Sequence, residues 1–179
     1  MKKILLFSLI ILMAVVVSAQ RYSDSTWIIG EGHIGKISIN MVEQKLSSLF
    51  TAEQIKKEEK TDNDDIYSII NISLKGESKT ALELETMCMD VCLISRISLY
   101  SDKYKTVKGI GIGSTMGDIK KNYSISAIRG GEKGIMVYVD DLPQTEFIMN
   151  VPKVRAIVDK VYKTMDIPDD SKIEMVSMY

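Results

Sequence analysis

Five stretches of this chain are written in the pattern of β-strands, and no other feature narrows its folds as much. Ile66 to Leu74 is apolar and β-branched, Thr80 to Met89 and Cys92 to Tyr100 alternate, and Ile135 to Val139 and Ile173 to Tyr179 follow. Strand side chains point to opposite faces in turn. If Ile70, Ile97, Val137 and Val176 face a core, residues of the other parity line the opposite face. A sheet that buries one face needs a second layer, and helical spacing supplies it. Asn40 can cap a helix with Glu43 three residues on, and Val42, Leu46, Leu49 and Phe50 follow at that spacing. The same grammar returns later: Ser114 or Thr115 can cap with Asp118, and Ile119 and Tyr123 fall where Leu46 and Phe50 fell. A short alternation leads into each helix, Ile37 with Ile39 and Ile110 with Ile112. IEMVSMY at Ile173–Tyr179 echoes ISRISLY at Ile94–Tyr100.

Between these runs, Thr51 to Lys60 is strongly charged and reads as a second short helix, and Thr61 to Asp65 as a solvated turn. Pro152 to Thr164 opens with a proline and carries Val154, Ile157, Val158, Val161 and Tyr162 as an apolar stripe, the pattern of an extra helix. The expected class is α+β. Residues 20–32 form a lead-in, residues 33–100 a first helix-plus-antiparallel-sheet unit and residues 101–179 a second, tandem with it, with the extra helix near 152–164.

The amino end reads as an export signal. Lys2 and Lys3 precede an apolar run from Ile4 to Val17 broken only by Ser8, which is shorter than the roughly 20 apolar residues that span a bilayer. Val17-Ser18-Ala19 suits signal peptidase, so residues 1–19 form the signal peptide and cleavage falls between Ala19 and Gln20. No later apolar stretch reaches membrane length, so no membrane span is expected after cleavage. Of 23 basic and 24 acidic residues in the chain, cleavage removes Lys2 and Lys3 and leaves a net charge of −3. That balance lacks the basic surplus that phosphate binding needs and argues against nucleic acid as a partner. A hydrophobic share of 45% argues equally against a disordered chain.

Export places the two cysteines, Cys88 and Cys92, where a disulfide can persist. On one straight strand their α-carbons would stand roughly 13 Å apart, beyond the 7 Å limit of a bridge. A bridge therefore demands a turn at Met89-Asp90-Val91; without it they are two buried thiols. Two cysteines and one distant His33 do not make a zinc site, and no metal or cofactor is expected. Gly109 to Thr115 lacks the Gly-Lys-Ser/Thr of a phosphate loop, and Asp62, Asp64 and Asp65 lack the glycine and glutamate that complete a calcium loop. A single histidine, with no serine or cysteine marked as its nucleophile, gives no catalytic set.

The segment TVKGIGIGSTMGDIKKNY at Thr106–Tyr123, with RISLYSDKY before it and GIMVYVDD after it, resembles an element of uncharacterised exported proteins of Bacteroidota-type bacteria. The element is also similar to the helix-entry motif of the β-lactamase-inhibitor-protein-like fold. The likeness covers about residues 95–140 and, more faintly, 33–50. It implies tandem helix-plus-sheet units that present a concave sheet to partners, and it brings no catalytic residue. The reading that results is an exported, non-catalytic binding module whose partner is an envelope or extracellular protein or glycan. Its candidate face carries Tyr67, Arg96, Tyr100, Met136, Tyr138, Met175 and Tyr179, residue types enriched at interfaces. The competing reading is a carboxylate-dependent hydrolase acting on an envelope or extracellular substrate, which needs two acids about 5 to 9.5 Å apart in a cleft.

Overall fold

A computed structural model describes residues 25–62, 65–152, 154 and 156–179. The residues that carry the export-signal reading, Met1 to Gln20, lie outside that set. Short strands come first: β1 (Ile28–Gly30), β2 (His33–Ile34) and β3 (Ile37–Ser38). A single helical turn, α1 (Leu46–Leu49), leads into β4 (Ile55–Asp62), β5 (Asp65–Ser73), β6 (Thr80–Cys88) and β7 (Cys92–Leu99). After β8 (Lys105–Thr106) and the helix α2 (Met116–Asn122) come β9 (Ile125–Gly131), β10 (Gly134–Val139), β11 (Leu142–Met149) and β12 (Ile173–Met178).

These strands form two sheets. The small one has the order β3-β2-β1-β8, and the large one β4-β5-β6-β7-β12-β11-β10-β9. Within the large sheet every neighbour is antiparallel, so each of the meanders β4–β7 and β9–β12 runs through consecutive strands and the two meet where β12 pairs with β7. One transverse row shows how the alternation becomes a core: Ile55, Ile72, Leu82, Leu99, Val176, Phe147, Val137 and Ile128 are successive cross-strand partners over all eight strands. From Ile72 to Ile128 all are buried, and Ile70 and Ile97 share that face. Burying each large apolar side chain contributes about 1.5–3 kcal/mol, and directly opposed pairs add to it.

The expected layout of two tandem helix-plus-sheet units, including its β-lactamase-inhibitor-protein-like form, is overturned: among the described residues the fold is mostly β, and α2 is the one helix longer than a single turn. Local chemistry explains the difference. Thr115 and Asp118 form a reciprocal capping box, with Thr115 N–H donating to Asp118 at 2.8 Å and Asp118 N–H donating to Thr115 at 3.1 Å, and α2 buries Met116 and Ile119. No such box opens the first helix. Asn40 sits at φ 64 and caps nothing, while Ser47 and Ser48 turn their hydroxyls back onto the carbonyls of Gln44 and Lys45. Such bonds compete with helical ones, and the chain is already extended at Phe50. After a single 3-10 turn at Ala52–Gln54, opened by a capping box of Thr51 and Gln54, the charged run continues as strand β4, whose outer edge has no neighbour among the described residues. Lys56, Lys57, Glu58, Glu59 and Lys60 guard that edge with charge, so their pattern reflects protection of an edge and not a helix face.

Among the described residues of 152–164 the extra helix is absent as well. Asp159 stands at φ 62, which breaks a helix, and the segment runs along the free edge of β9 instead. Gly130 N–H donates to the Lys160 carbonyl at 2.9 Å, and Tyr162 N–H to the Ile128 carbonyl at 2.9 Å. Gly130 makes this close approach feasible, because a Cβ there would lie 2.0 Å from the Ile157 carbonyl oxygen. Tyr162 is buried by the packing, whereas Ile157, Val158 and Val161 stay exposed.

Candidate functional site

The face of the large sheet turned away from the core carries the residues singled out by parity. Its middle row runs Lys56, Asn71, Glu83, Ser98, Ser177 and Glu146 across six strands. A parallel row joins Arg129, Met136, Ile148 and Met175. Ile148 and Met175 are buried, while Arg96, Arg129, Tyr100 and Tyr179 are exposed, Tyr100 at 41% and Tyr179 at 47%. The face therefore has a polar middle row in which Ser98 and Ser177 are buried, a buried apolar patch at Ile148 and Met175 to one side of it, and exposed tyrosines and arginines around both.

The sequence-derived residues do not all meet. Tyr67 lies on β5, five strand spacings from Tyr138 on β10, or about 24 Å. Arg96 reaches Glu85 on the neighbouring strand at 3.9 Å, and the Tyr100 hydroxyl approaches Glu83 at 3.5 Å. Burial, with the charge of Glu83 second, raises the Tyr100 pKa above the ordinary phenol value. Met136 and Tyr138 do come together, the Tyr138 hydroxyl standing 3.6 Å from the Met136 sulfur.

Around Tyr138 the sheet loses its regular register on both sides. Between β9 and β10, Tyr138 pairs with Ala127 but Val139 with Ile125, which leaves Ser126 as an extra residue. Between β10 and β11, Val137 pairs with Phe147 but Val139 with Leu142, which throws Pro143 to Glu146 out of step. Bulges of this kind re-aim side chains and occur next to functional sites. The result is a notch of about 240 Å³ lined by Ser126, Arg129, Tyr138, Pro143 and Tyr179. Tyr138 donates its hydroxyl to Glu146 at 2.7 Å. Burial first, then that bond and the charge of Glu146, push the Tyr138 pKa far up, so this phenol is a fixed donor at neutral pH. Arg129 makes no ion pair among the described residues and opposes that shift with its charge.

Arg129, Glu146 and Ser126 were not among the residues found from sequence. The signal was present: Gly131-Glu132-Lys133-Gly134 is a hairpin turn, and pairing back from it sets Arg129 opposite Met136.

Cys88 and Cys92 are joined, the disulfide closing the β6–β7 hairpin around Met89-Asp90-Val91. Beside it, one carboxylate oxygen of Glu43 lies within 4.8 Å of both sulfurs. Bonded to each other, the sulfurs have no thiolate to offer a metal, and Glu43 is engaged by Lys57 at 2.7 Å. A second depression, about 340 Å³, is flanked by the exposed Met87, Met89 and Val91 together with Leu93, Gln144 and Tyr179.

No family model matches this chain, and no curated protein matches it. Its structure is similar to the crystal structure of the uncharacterized protein yfeY from Escherichia coli, with a TM-score of 0.62 over 84% of this chain and 98% of that one. The two are 12% identical in sequence, so the likeness is one of fold alone.

Proposed function

We propose that this protein is an exported, non-catalytic interaction module whose outer sheet face binds a protein or glycan of the bacterial cell envelope. The observation that carries the reading is the contrast between the two faces of one sheet. Its core side is buried from β5 to β9, while the other holds Arg96, Tyr100, Arg129 and Tyr179 exposed around a polar middle row and a small buried apolar patch at Ile148 and Met175. Tyrosine and arginine supply contact area and directed hydrogen bonds at interfaces, and a face of this composition is suited to a partner that is itself partly polar. Export rests on the Lys2-Lys3 head, the apolar run to Val17 and the small residues before Gln20.

The test is capture of a partner from envelope extract by the protein, by Tyr100→Ala and by Tyr179→Ala. Both side chains are substantially exposed, so their removal should weaken capture while leaving the melting temperature in place. Loss of stability in step with loss of capture would mean that these residues serve the core and not a partner. The intact mass of the native protein checks the export half of the reading, with Gln20 the expected first residue.

A further inference from the structure

We propose that the notch at Tyr138 is a subsite for one acidic sugar residue, a hexuronate held through its carboxylate by Arg129. This rests on the interaction-module reading and sharpens it to a carbohydrate carrying carboxylates.

Three observations lead there. The notch is built into the sheet, because β10 changes register against both neighbours at this point, and the extra residues of β9 and β11 supply Ser126 and Pro143 to its walls. Its one charged lining residue is Arg129, exposed and without an ion pair among the described residues, whereas Arg96 on the same face has Glu85. An unpaired guanidinium is a fork of donors matched to a carboxylate, which accepts in pairs and donates nothing. The Tyr138 hydroxyl is already donated to Glu146 at 2.7 Å, so the donors left for a ligand are Arg129 and the hydroxyls of Ser126 and Tyr179.

The walls then select the rest of the ligand. Of the five lining residues only Pro143 lacks a polar side-chain atom, which disfavours an apolar protein anchor. At about 240 Å³ the notch falls below the roughly 300–1,000 Å³ typical of pockets for drug-sized ligands, so it takes a single ring. Tyr138 and Tyr179 stand among its walls, and the Ser126 and Tyr179 hydroxyls offer hydrogen bonds to the ring hydroxyls of a sugar.

The experiment follows the backbone amides of the isotopically labelled protein by NMR during titration with sodium glucuronate, glucose and sodium acetate at equal ionic strength. Glucuronate should give saturable shifts at residues 126–129, 138 and 179 with a dissociation constant on the order of 1–10 mM, as for a single weakly held monosaccharide. Glucose and acetate should each bind at least about tenfold more weakly, since each keeps only half of the recognition. Arg129→Gln should weaken glucuronate by about tenfold or more, Arg129→Lys by less, and added salt should weaken it further. Arg129 is exposed, so both variants should melt with the parent, and melting curves verify it.

Equal binding of glucose and glucuronate, or unchanged binding to Arg129→Gln, would overturn the assignment. Acetate shifting the same amides as strongly as glucuronate would overturn it in favour of an acidic protein side chain. Silence toward glucuronate while capture from envelope extract still depends on Tyr100 would overturn the sugar and leave the interaction face standing. Failure of both experiments would remove the face itself.

Discussion

Tyr104 shows how one residue couples the core to pH. Its ring meets Trp27 edge to face, with centroids 5.0 Å apart, and only 4% of the residue is exposed. Burial first, and the charge of Glu77 second, push its pKa from 10.0 up to about 12. Below pH 10 the phenol is protonated in both folded and unfolded chains, and its titration changes nothing. Between pH 10 and about 12 the unfolded chain loses the proton and the folded chain holds it, so stability drains across that window. Tyr138 is shifted in the same direction and prolongs the loss. Urea midpoints should accordingly stay level up to about pH 10 and fall above it, with a shallower fall in Tyr104→Phe. A Tyr104→Phe profile that declines as steeply as the parent would show that this phenol is not a source of the loss. At the opposite end of the scale, Asp118 accepts from the Thr115 backbone and hydroxyl, which lowers its pKa; its contribution is present above the unfolded carboxylate value and is lost as acid protonates it.

Among the elements, those whose chemistry is local were legible in the sequence. The capping box that opens α2 was visible in Thr115 and Asp118, and the structure forms it. Thr115→Ala should therefore cost about 0.5–2 kcal/mol in denaturant unfolding, and a change within error would mean that packing of Met116 and Ile119 holds α2 unaided. The β6–β7 hairpin depended on a turn that could be named from Asp90 but not decided, because both a turn and a straight strand suit its flanks. With Cys88 directly opposite Cys92, the bridge closes a very short loop and should contribute about 2 kcal/mol. Alkylation of the unreduced protein should label neither cysteine, and the double variant Cys88→Ser, Cys92→Ser should unfold at lower denaturant. The helix expected near 152–164 failed for a reason outside its own stripe. The free edge of β9 offers unpaired backbone groups, and an extended segment satisfies them where a helix would not. That demand comes from a strand more than twenty residues earlier in the chain, and no periodicity within the segment encodes it. Likewise the charged run of β4 has the composition of a helix and the task of an edge.

At the scale of the whole molecule, the alternation of the sequence correctly placed Ile70, Ile97, Val137 and Val176 on the buried face, but strand order was beyond it. Nothing in a period of two says that β12 enters between β7 and β11, and the notch at Tyr138 depends on register slips that only the assembled neighbours create. The same assembly raises the question of how firmly the two meanders are joined. Their seam is three residue pairs long, Val176 with Leu99, Ser177 with Ser98 and Met178 with Ile97, where β6 and β7 share seven. Away from the seam, β8 pairs with β1 in the small sheet, and Asn40 and Met41 bond to Ile94 of β7, which ties the segment after β3 to the first meander. Because the apolar row runs through the seam without interruption, we expect one cooperative transition. Trp27, the chain's single tryptophan, stands beside the small sheet, so its fluorescence reports that end while far-UV circular dichroism reports the large sheet. The two melting curves should coincide. Leu99→Ala removes the centre of the row, between Leu82 and Val176, and should cost about 2–5 kcal/mol. If the molecule is one unit, that variant moves both curves down together. Fluorescence and dichroism separating in the parent protein would instead show that the small sheet, or one of the meanders, unfolds on its own, and that the short seam does not bind the sheet into a single cooperative body.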